Sequence, residues 1–107
     1  MIKLIEVKNN EDDGKIILNW RNDKDTLKNS FRNVKYEYKE FMDIFKKYYF
    51  KNQLNPLFAY YNNEKIAFIG TKDRENKEII DISINISPNY RNKKLSVPII
   101  KEVLKYI

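Results

Sequence analysis

The chain has 107 residues, a net charge of +6 and a hydrophobic content of 42%, and these values predict one small globular domain. It contains no cysteine and no histidine, so disulfides, thiolate metal sites and the usual zinc ligands are excluded. No apolar run approaches the roughly 20 residues of a membrane span, and the N-terminus lacks the features of a signal peptide. These features predict a cytoplasmic protein with no membrane partner and no metal site.

The positive charge has two explanations. A basic surface can bind nucleic acid or a phosphate-bearing ligand. However, lysine far outnumbers arginine, which nucleic-acid surfaces favour for bidentate contacts, and the charge is spread along the whole chain. Because composition alone accounts for such an excess of lysine, a nucleic-acid partner is not expected.

The first part of the chain predicts a strand followed by a helix. The strand covers residues 2–7, and residues 9–13 supply an N-cap and the acids that favour a helix start. The helix that follows has Ile16, Ile17 and Trp20 on one side. Residues 22–33 are polar, broken by Leu27 and Phe31, and are predicted to be irregular.

Residues 36–50 give the clearest helical pattern. The apolar residues at helical spacing are Tyr38, Phe41, Met42, Phe45, Tyr48 and Tyr49. An aromatic face of this kind can stack on nucleic-acid bases. Its regular spacing instead predicts that the face packs into the core.

The second half predicts a hairpin, a further strand and a last helix. Residues 57–61 and 65–70 form the hairpin around residues 62–64, and a turn over residues 73–77 leads into the strand Ile80–Ile86. The even-numbered isoleucines of that strand share one face, and Asp81, Ser83 and Asn85 share the other. The last helix has Pro98 in its first turn, where a missing N–H costs little. Its apolar stripe comprises Ile99, Ile100, Val103, Leu104 and Ile107.

The strand that ends at Ile86 runs through Pro88 into a basic turn, Arg91 to Ser96, and then into the last helix. A helix N-terminus can bind phosphate because its first N–H groups have no partner within the helix. This segment resembles the acyl-CoA pyrophosphate turn of the GNAT N-acetyltransferase superfamily. Arg91 matches the Arg or Gln of that motif, whereas Lys94 and Ser96 stand where the superfamily usually has glycine.

The resemblance implies a cofactor site for acetyl-CoA. The pyrophosphate would bind in the turn formed by Arg91, Asn92, Lys93, Lys94, Leu95 and Ser96. The backbone of Ile84 and Ile86 would pair with the pantetheine arm like an added strand. Alternatively, the turn is a plain connection with its basic residues in solvent, and the strand is an ordinary buried one.

The resemblance also implies the fold. It predicts an α/β structure with a mostly antiparallel sheet flanked by helices, in the order β-α-α-β-β-β-α. Superfamily domains continue with further elements, so the C-terminal ones are expected to be missing here. Residues 1–107 are then a single, C-terminally truncated domain.

Asp81 is the candidate catalytic residue, because it is the only acid on the polar face of the strand Ile80–Ile86. Amine acetylation needs a base that takes the proton of the attacking ammonium. Some superfamily members use a carboxylate on this strand. The alternative is a solvated or salt-bridged aspartate.

The run Trp20-Arg21-Asn22 resembles a subgroup of the superfamily that acetylates amino sugars on nucleotide carriers. This resemblance implies that Arg21 and Asn22 contact the acceptor, with Arg21 able to bind a phosphate. The alternative is a core tryptophan beside a solvated helix end.

Together these features predict an acetyl-CoA-dependent N-acetyltransferase acting on a primary amine, with an amino-sugar nucleotide as the expected acceptor. The alternative is a non-catalytic GNAT-like module that binds a cofactor or a protein partner. The strand Ile80–Ile86 has no later strand to cover its outer edge, and an exposed apolar edge favours pairing with another chain. The sequence therefore also predicts a homodimer through this edge.

Overall fold

The computed structural model describes residues 1–28, 34–73 and 80–107 and places four strands and four α-helices in them. The elements are β1 (Lys3–Glu6), α1 (Glu11–Arg21), α2 (Lys24–Lys28), α3 (Tyr38–Tyr48), β2 (Leu57–Tyr61), β3 (Glu64–Asp73), β4 (Ile80–Ile86) and α4 (Ser96–Tyr106). A short 3₁₀ turn, Pro88–Tyr90, lies between β4 and α4. The predicted α/β fold class is confirmed, and the order differs from the expected one only by the additional helix α2.

Helix α2 lies in a segment that was predicted to be irregular. The Asp23 carboxylate caps it by accepting hydrogen bonds from the N–H groups of Asp25 (3.1 Å) and Thr26 (3.3 Å), and Leu27 is buried. The prediction is therefore wrong over α2, because five residues with one buried leucine give no helical periodicity to detect. The remainder of that segment, residues 29–33, lies outside the described residues.

The start of α1 matches the prediction. The Asn10 side chain accepts a hydrogen bond from the N–H of Asp13 at 2.9 Å, as an N-cap residue does. The Asp13 carboxylate in turn accepts a bond from the N–H of Lys8 at 2.8 Å. These two hydrogen bonds fix the point at which the chain leaves β1 and enters the helix.

The four strands form one antiparallel sheet in the order β1-β2-β3-β4. A two-residue turn joins β2 to β3, and its residues Asn62 and Asn63 have φ values of 51° and 65°. Asparagine tolerates this left-handed conformation, which hairpin turns of this length require. The predicted turn over residues 73–77 lies outside the described residues beyond Asp73. In this sheet β4 is an edge strand, as the sequence predicted.

Helices cover both faces of the sheet. One face packs against α1 and α3 through the cluster Val7, Ile17, Leu18, Phe41, Met42, Phe45, Phe58 and Phe68. The other packs against α4 through Ile2, Leu57, Ala59, Ile66, Ala67, Ile69, Ile99 and Val103. Adjacent residues such as Leu57 and Phe58 fall in different clusters because strand side chains alternate between faces. A Cβ at Gly14 would lie 2.8 Å from the sulfur of Met42, so this glycine lets α1 and α3 approach closely.

The aromatic face of α3 is only partly core. Phe41, Met42 and Phe45 are buried, but Tyr38 and Tyr48 are 42% and 58% exposed. The prediction that the whole face packs inside is therefore wrong at both ends of the helix.

The apolar stripe of α4 is likewise wider than the surface it covers. Ile99 and Val103 are buried, whereas Ile100 and Leu104 are 43% and 62% exposed. On β4, Ile84 and Ile86 pack beside the α4 cluster, and Ile82 is 38% exposed. Large apolar side chains are therefore exposed both on β4 and on α4.

Candidate active site

The outer edge of β4 offers backbone groups for pairing. The N–H of Ser87 donates to the carbonyl oxygen of Ile66 at 2.8 Å, and this bond sets the pattern of the β3–β4 ladder. Because bonded and non-bonded pairs alternate in an antiparallel ladder, the N–H and C=O groups of Ile82, Ile84 and Ile86 point away from β3. No described strand lies on that side of β4, so an extended ligand can pair there.

The turn between β4 and α4 contains two residues with a left-handed backbone. The φ angle is 63° at Asn92 and 56° at Lys94, whereas Leu95 is right-handed with φ −90°. Alternation between the two hands turns neighbouring N–H groups to one side, which is the geometry of an anion-binding nest. A lysine in the left-handed region carries a steric cost that glycine does not. The positive φ at Lys94 thus gives a physical reason for the glycine of the superfamily motif.

Six of the eight residues predicted to bind the cofactor surround one cavity. This turn cavity has a volume of about 370 Å³ and is lined by Ile86, Tyr90, Asn92, Lys93, Lys94, Leu95 and Ser96. No side chain caps the first turn of α4, which starts here, and that turn contains no acid. The cavity therefore combines a helix N-terminus with two lysines, an environment that favours phosphate.

Arg91, by contrast, extends away from the turn towards the junction of α1 and α2. Its guanidinium bonds to the Asp23 carboxylate at 2.5 Å and to the Thr26 hydroxyl at 2.6 Å, and Asp25 lies 3.7 Å away. The hydrogen bond from Arg91 lowers the pKa of Asp23 below its usual value. In this geometry, Arg91 links the turn to the start of α2.

Asn22 also has a structural partner. Its side-chain NH₂ donates to the carbonyl oxygen of Tyr36 at 3.0 Å, and its side-chain oxygen accepts from the N–H of Tyr36 at 2.8 Å. These two bonds hold the end of α1 against the segment that precedes α3. The amide is thereby committed to the backbone, and its predicted contact with an acceptor stays a prediction.

Arg21 has a different environment from that of Arg91. Its guanidinium carbon lies 5.8 Å from the centre of the Tyr49 ring, and its Nε is buried with no hydrogen-bond partner among the described residues. Burial raises the pKa of the Tyr49 phenol, and the charge and hydrogen bond of Arg21 partly offset that rise. No described carboxylate lies within salt-bridge distance of Arg21.

Arg21 borders two cavities on the α1/α3 face of β4. The first, the edge cavity, has a volume of about 600 Å³ and also contacts Thr26, Ile84, Ile86 and Arg91. The second, the basic cavity, has a volume of about 550 Å³, and its charged and aromatic lining comprises Arg21, Lys51, Lys72, Asp81, Tyr48, Tyr49 and Phe68. Arg21 therefore lies between the β4 edge and a cavity large enough for a small molecule.

Asp81 lies in the basic cavity with Arg21, although 60 residues separate them in the chain. It is exposed, and in the ladder it stands directly opposite Lys72. The fold thus brings the predicted catalytic residue and one predicted acceptor residue to one cavity, beside the β4 edge. Whether Asp81 acts as a base stays a prediction.

The sequence interpretation missed the rest of this cavity. Tyr48 and Tyr49 were assigned to the core because their spacing is helical, and Lys51 and Lys72 had no signal beyond a positive charge. It also missed Asp23 and Thr26 as partners of Arg91, because those contacts span more than 60 positions of sequence. The one sequence feature that could have indicated this cavity was the position of Tyr48 in the last turn of an amphipathic helix.

Within the described residues, no cluster of acidic side chains is suited to hold a metal ion, and no helix has the length and apolar character needed to span a membrane. Comparisons with protein-family models and with curated proteins gave no match to this chain.

The chain is similar to a solved structure described as the acetyltransferase of GNAT family from Streptococcus pneumoniae. The two share a TM-score of 0.62 and 18% sequence identity, and the match covers 99% of this chain and 66% of that chain. The chain therefore spans just under two thirds of the length of that protein. By architecture, the chain is therefore a GNAT-like α/β domain.

Proposed function

We propose that the chain binds acetyl-CoA along the β4 edge and in the turn cavity, and that it serves an N-acetyltransferase reaction on a primary amine. The observation that carries this proposal is that the β4 edge and the turn that follows it adjoin. The outward backbone groups of Ile84 and Ile86 lead directly to the left-handed backbone at Asn92 and Lys94. An extended arm and a pyrophosphate need these two features at adjacent places.

Acetyl-CoA would supply an activated acetyl group, with a new N–C bond formed to the amine as the C–S bond breaks and CoA leaves as the thiolate, which takes up the second proton that the nitrogen loses. The protein's own groups would orient the reactants. A backbone N–H near Ile86 would polarise the thioester carbonyl, and Asp81 would take the proton of the ammonium, directly or through water. The basic cavity would hold the acceptor beside the β4 edge.

An amino-sugar nucleotide is the acceptor that we propose, on the strength of the Trp20-Arg21 resemblance. Trp20 packs its ring edge-on against Phe58 at 5.8 Å and so fixes the direction of the residue that follows it. Arginine can bind a diphosphate with two parallel bonds, which lysine cannot. We leave Asn22 out of the proposed site because the backbone of Tyr36 occupies its amide.

A non-catalytic GNAT-like module is the second candidate. Two observations favour it: the Lys94 side chain stands where the superfamily has glycine, and Arg91 is engaged by Asp23 rather than directed at the turn. Such a module would bind CoA without turnover.

Chemical-shift mapping with CoA tests the binding site. We expect perturbations at Ile84, Ile86 and the turn that ends at Ser96, and none on β1 at the opposite edge. No change at millimolar CoA, or changes elsewhere only, would refute the proposal. Turnover is then measured with acetyl-CoA and a panel of amines by a thiol-reactive dye, which sees only released CoA because the chain has no cysteine. Binding without thiol release would favour the non-catalytic module.

A further inference from the structure

Among the described residues, the lining of the basic cavity has more cations than carboxylates. Arg21, Lys51 and Lys72 are its described cations, and Asp81 is its one described carboxylate. Lys72 stands directly opposite Asp81 in the β3–β4 ladder, where opposite charges attract. Arg21 and Lys51 are the two cations of the described lining that do not face Asp81 across this ladder.

Two described arginines lie near β4, and they differ in whether a neighbouring carboxylate balances their charge. Arg91 has the Asp23 carboxylate at 2.5 Å and that of Asp25 at 3.7 Å. Arg21 has no described carboxylate within salt-bridge distance, and its Nε is buried without a partner. A partly buried cation without an anion is costly, and an anionic ligand would relieve that cost.

The cationic side of the cavity is held by aromatic rings. The Arg21 guanidinium lies over Tyr49 at 5.8 Å, and the Lys51 ammonium lies over Tyr48 at 5.0 Å. Such contacts orient a cation but do not neutralise it. The two charges are thus positioned on the same lining, with hydrogen-bond donors still available for a ligand.

We propose that the basic cavity binds an acceptor amine that also carries an anionic oxygen group, either a carboxylate or a phosphate. Arg21 and Lys51 bind the anion, and the amine lies towards Asp81. The identification of this ligand as the acceptor rests on the proposed function, whereas the anion site itself does not. The volume of about 550 Å³ suits a small molecule rather than a polymer.

Three small amines of similar length test the proposal by NMR titration of the full chain: β-alanine, phosphoethanolamine and ethanolamine. We expect the two anionic amines to shift the amides of Gly70, Thr71 and Ser83, which line the cavity. Ethanolamine should bind at least about tenfold more weakly, since it lacks the charge-assisted bonds. A preference between the two anionic probes distinguishes phosphate from carboxylate, and either preference supports the proposal.

Substitutions of the two cations test where the anionic group of the ligand binds. Arg21→Gln and Lys51→Gln should each weaken the anionic amines by about tenfold and reduce the salt dependence of binding. Lys3→Gln is the matched control, because it removes one exposed charge from the opposite edge strand. Lys51 is itself exposed, so its variant should fold even where Arg21→Gln does not. Equal binding of ethanolamine, or equal weakening by Lys3→Gln, would overturn the anion site.

The same samples separate this inference from the proposed function. CoA is titrated alongside and followed at Ile84 and at the turn residues. If the chain binds the anionic amines but not CoA, the proposed function is refuted and the anion site stands. If CoA binds and the anionic amines shift only the amides of the turn Arg91 to Ser96, the anion site alone is overturned.

Discussion

Lys94 holds a β-carbon in a backbone conformation that favours glycine, with φ 56°. We predict that Lys94→Gly raises the free energy of unfolding by up to about 1 kcal/mol, because relief of the left-handed strain exceeds the entropy that glycine adds. Thermal and urea unfolding measure this change. The control is Lys93→Gly, since Lys93 does not have a positive φ and should lose stability. Equal effects of the two variants would contradict the assignment of strain to position 94.

The same variant tests the role of the Lys94 side chain in the turn cavity. If that side chain obstructs the pyrophosphate, Lys94→Gly should tighten CoA binding. If the ammonium contacts phosphate, CoA binding should weaken and lose part of its salt dependence. We expect tighter binding, because the positive φ already matches the glycine of the superfamily motif.

Asp23 gives a pH dependence whose sign follows from its lowered pKa. Its bond to Arg91 holds the folded-state pKa below the ordinary value of 3.8, so the ionised form is the one that stabilises the fold. This contribution is present above pH 3.8 and is lost as the pH falls through the folded-state pKa. We predict that Asp23→Asn melts below the wild type at pH 6 and that this difference in melting temperature narrows as the pH falls below 3.8. A gap that stays constant with pH would show that the cap, not the charge, matters.

At the scale of elements, α3 separates a buried from an exposed aromatic residue on one face. Phe45 is fully buried between α1 and the sheet, whereas Tyr48, one turn later, is 58% exposed at the rim of the basic cavity. We predict that Phe45→Ala costs about 3–5 kcal/mol and Tyr48→Ala less than about 1 kcal/mol. Urea denaturation of both variants measures the difference. Similar losses would mean that Tyr48 packs more deeply than the structure shows.

The contacts of Arg91 connect two further elements, the turn before α4 and the start of α2. Asp23 takes part twice, as the cap of α2 and as the partner of the arginine. We expect Asp23→Ala and Arg91→Ala to be strongly non-additive in the free energy of unfolding, because each change releases the same contact. A double-mutant cycle measures that coupling. Additive losses would show that the two residues act independently.

At the scale of the whole molecule, the outer edge of β4 is open in the described structure, and Ile82 beside it is 38% exposed. We predict a dimer through this edge at micromolar concentration, visible by sedimentation. Ile82→Lys should abolish it, and Ile5→Lys on the opposite edge strand should not. Because pairing and CoA would use the same backbone groups, CoA should also shift the chain towards monomer. A monomer that keeps the edge amides protected in hydrogen exchange would contradict the prediction.

Local chemistry alone determined much of this fold. The Asn10 cap, the left-handed pair Asn62 and Asn63, and the alternation of isoleucines on β4 each follow from what a few adjacent residues can do. Most strands and helices could therefore be predicted from the residues themselves, whereas the fold class was implied by the resemblance to the GNAT superfamily. The short helix α2 could not, because its cap and its one buried leucine are too few to form a periodic pattern.

Tertiary structure decided the arrangement of the site. The helical spacing of Tyr48 and Tyr49 predicts a common face, but only the tertiary packing determines where that face stops being buried. The charge of Arg91 predicts an anion, but only the packing of α2 beside the turn makes that anion Asp23. Arg21, by contrast, has no described carboxylate within salt-bridge distance, and the fold brings it to the cavity that Asp81 also lines. Sequence specifies which groups are available, and burial and distance, which depend on the whole fold, determine which of them remain for a ligand.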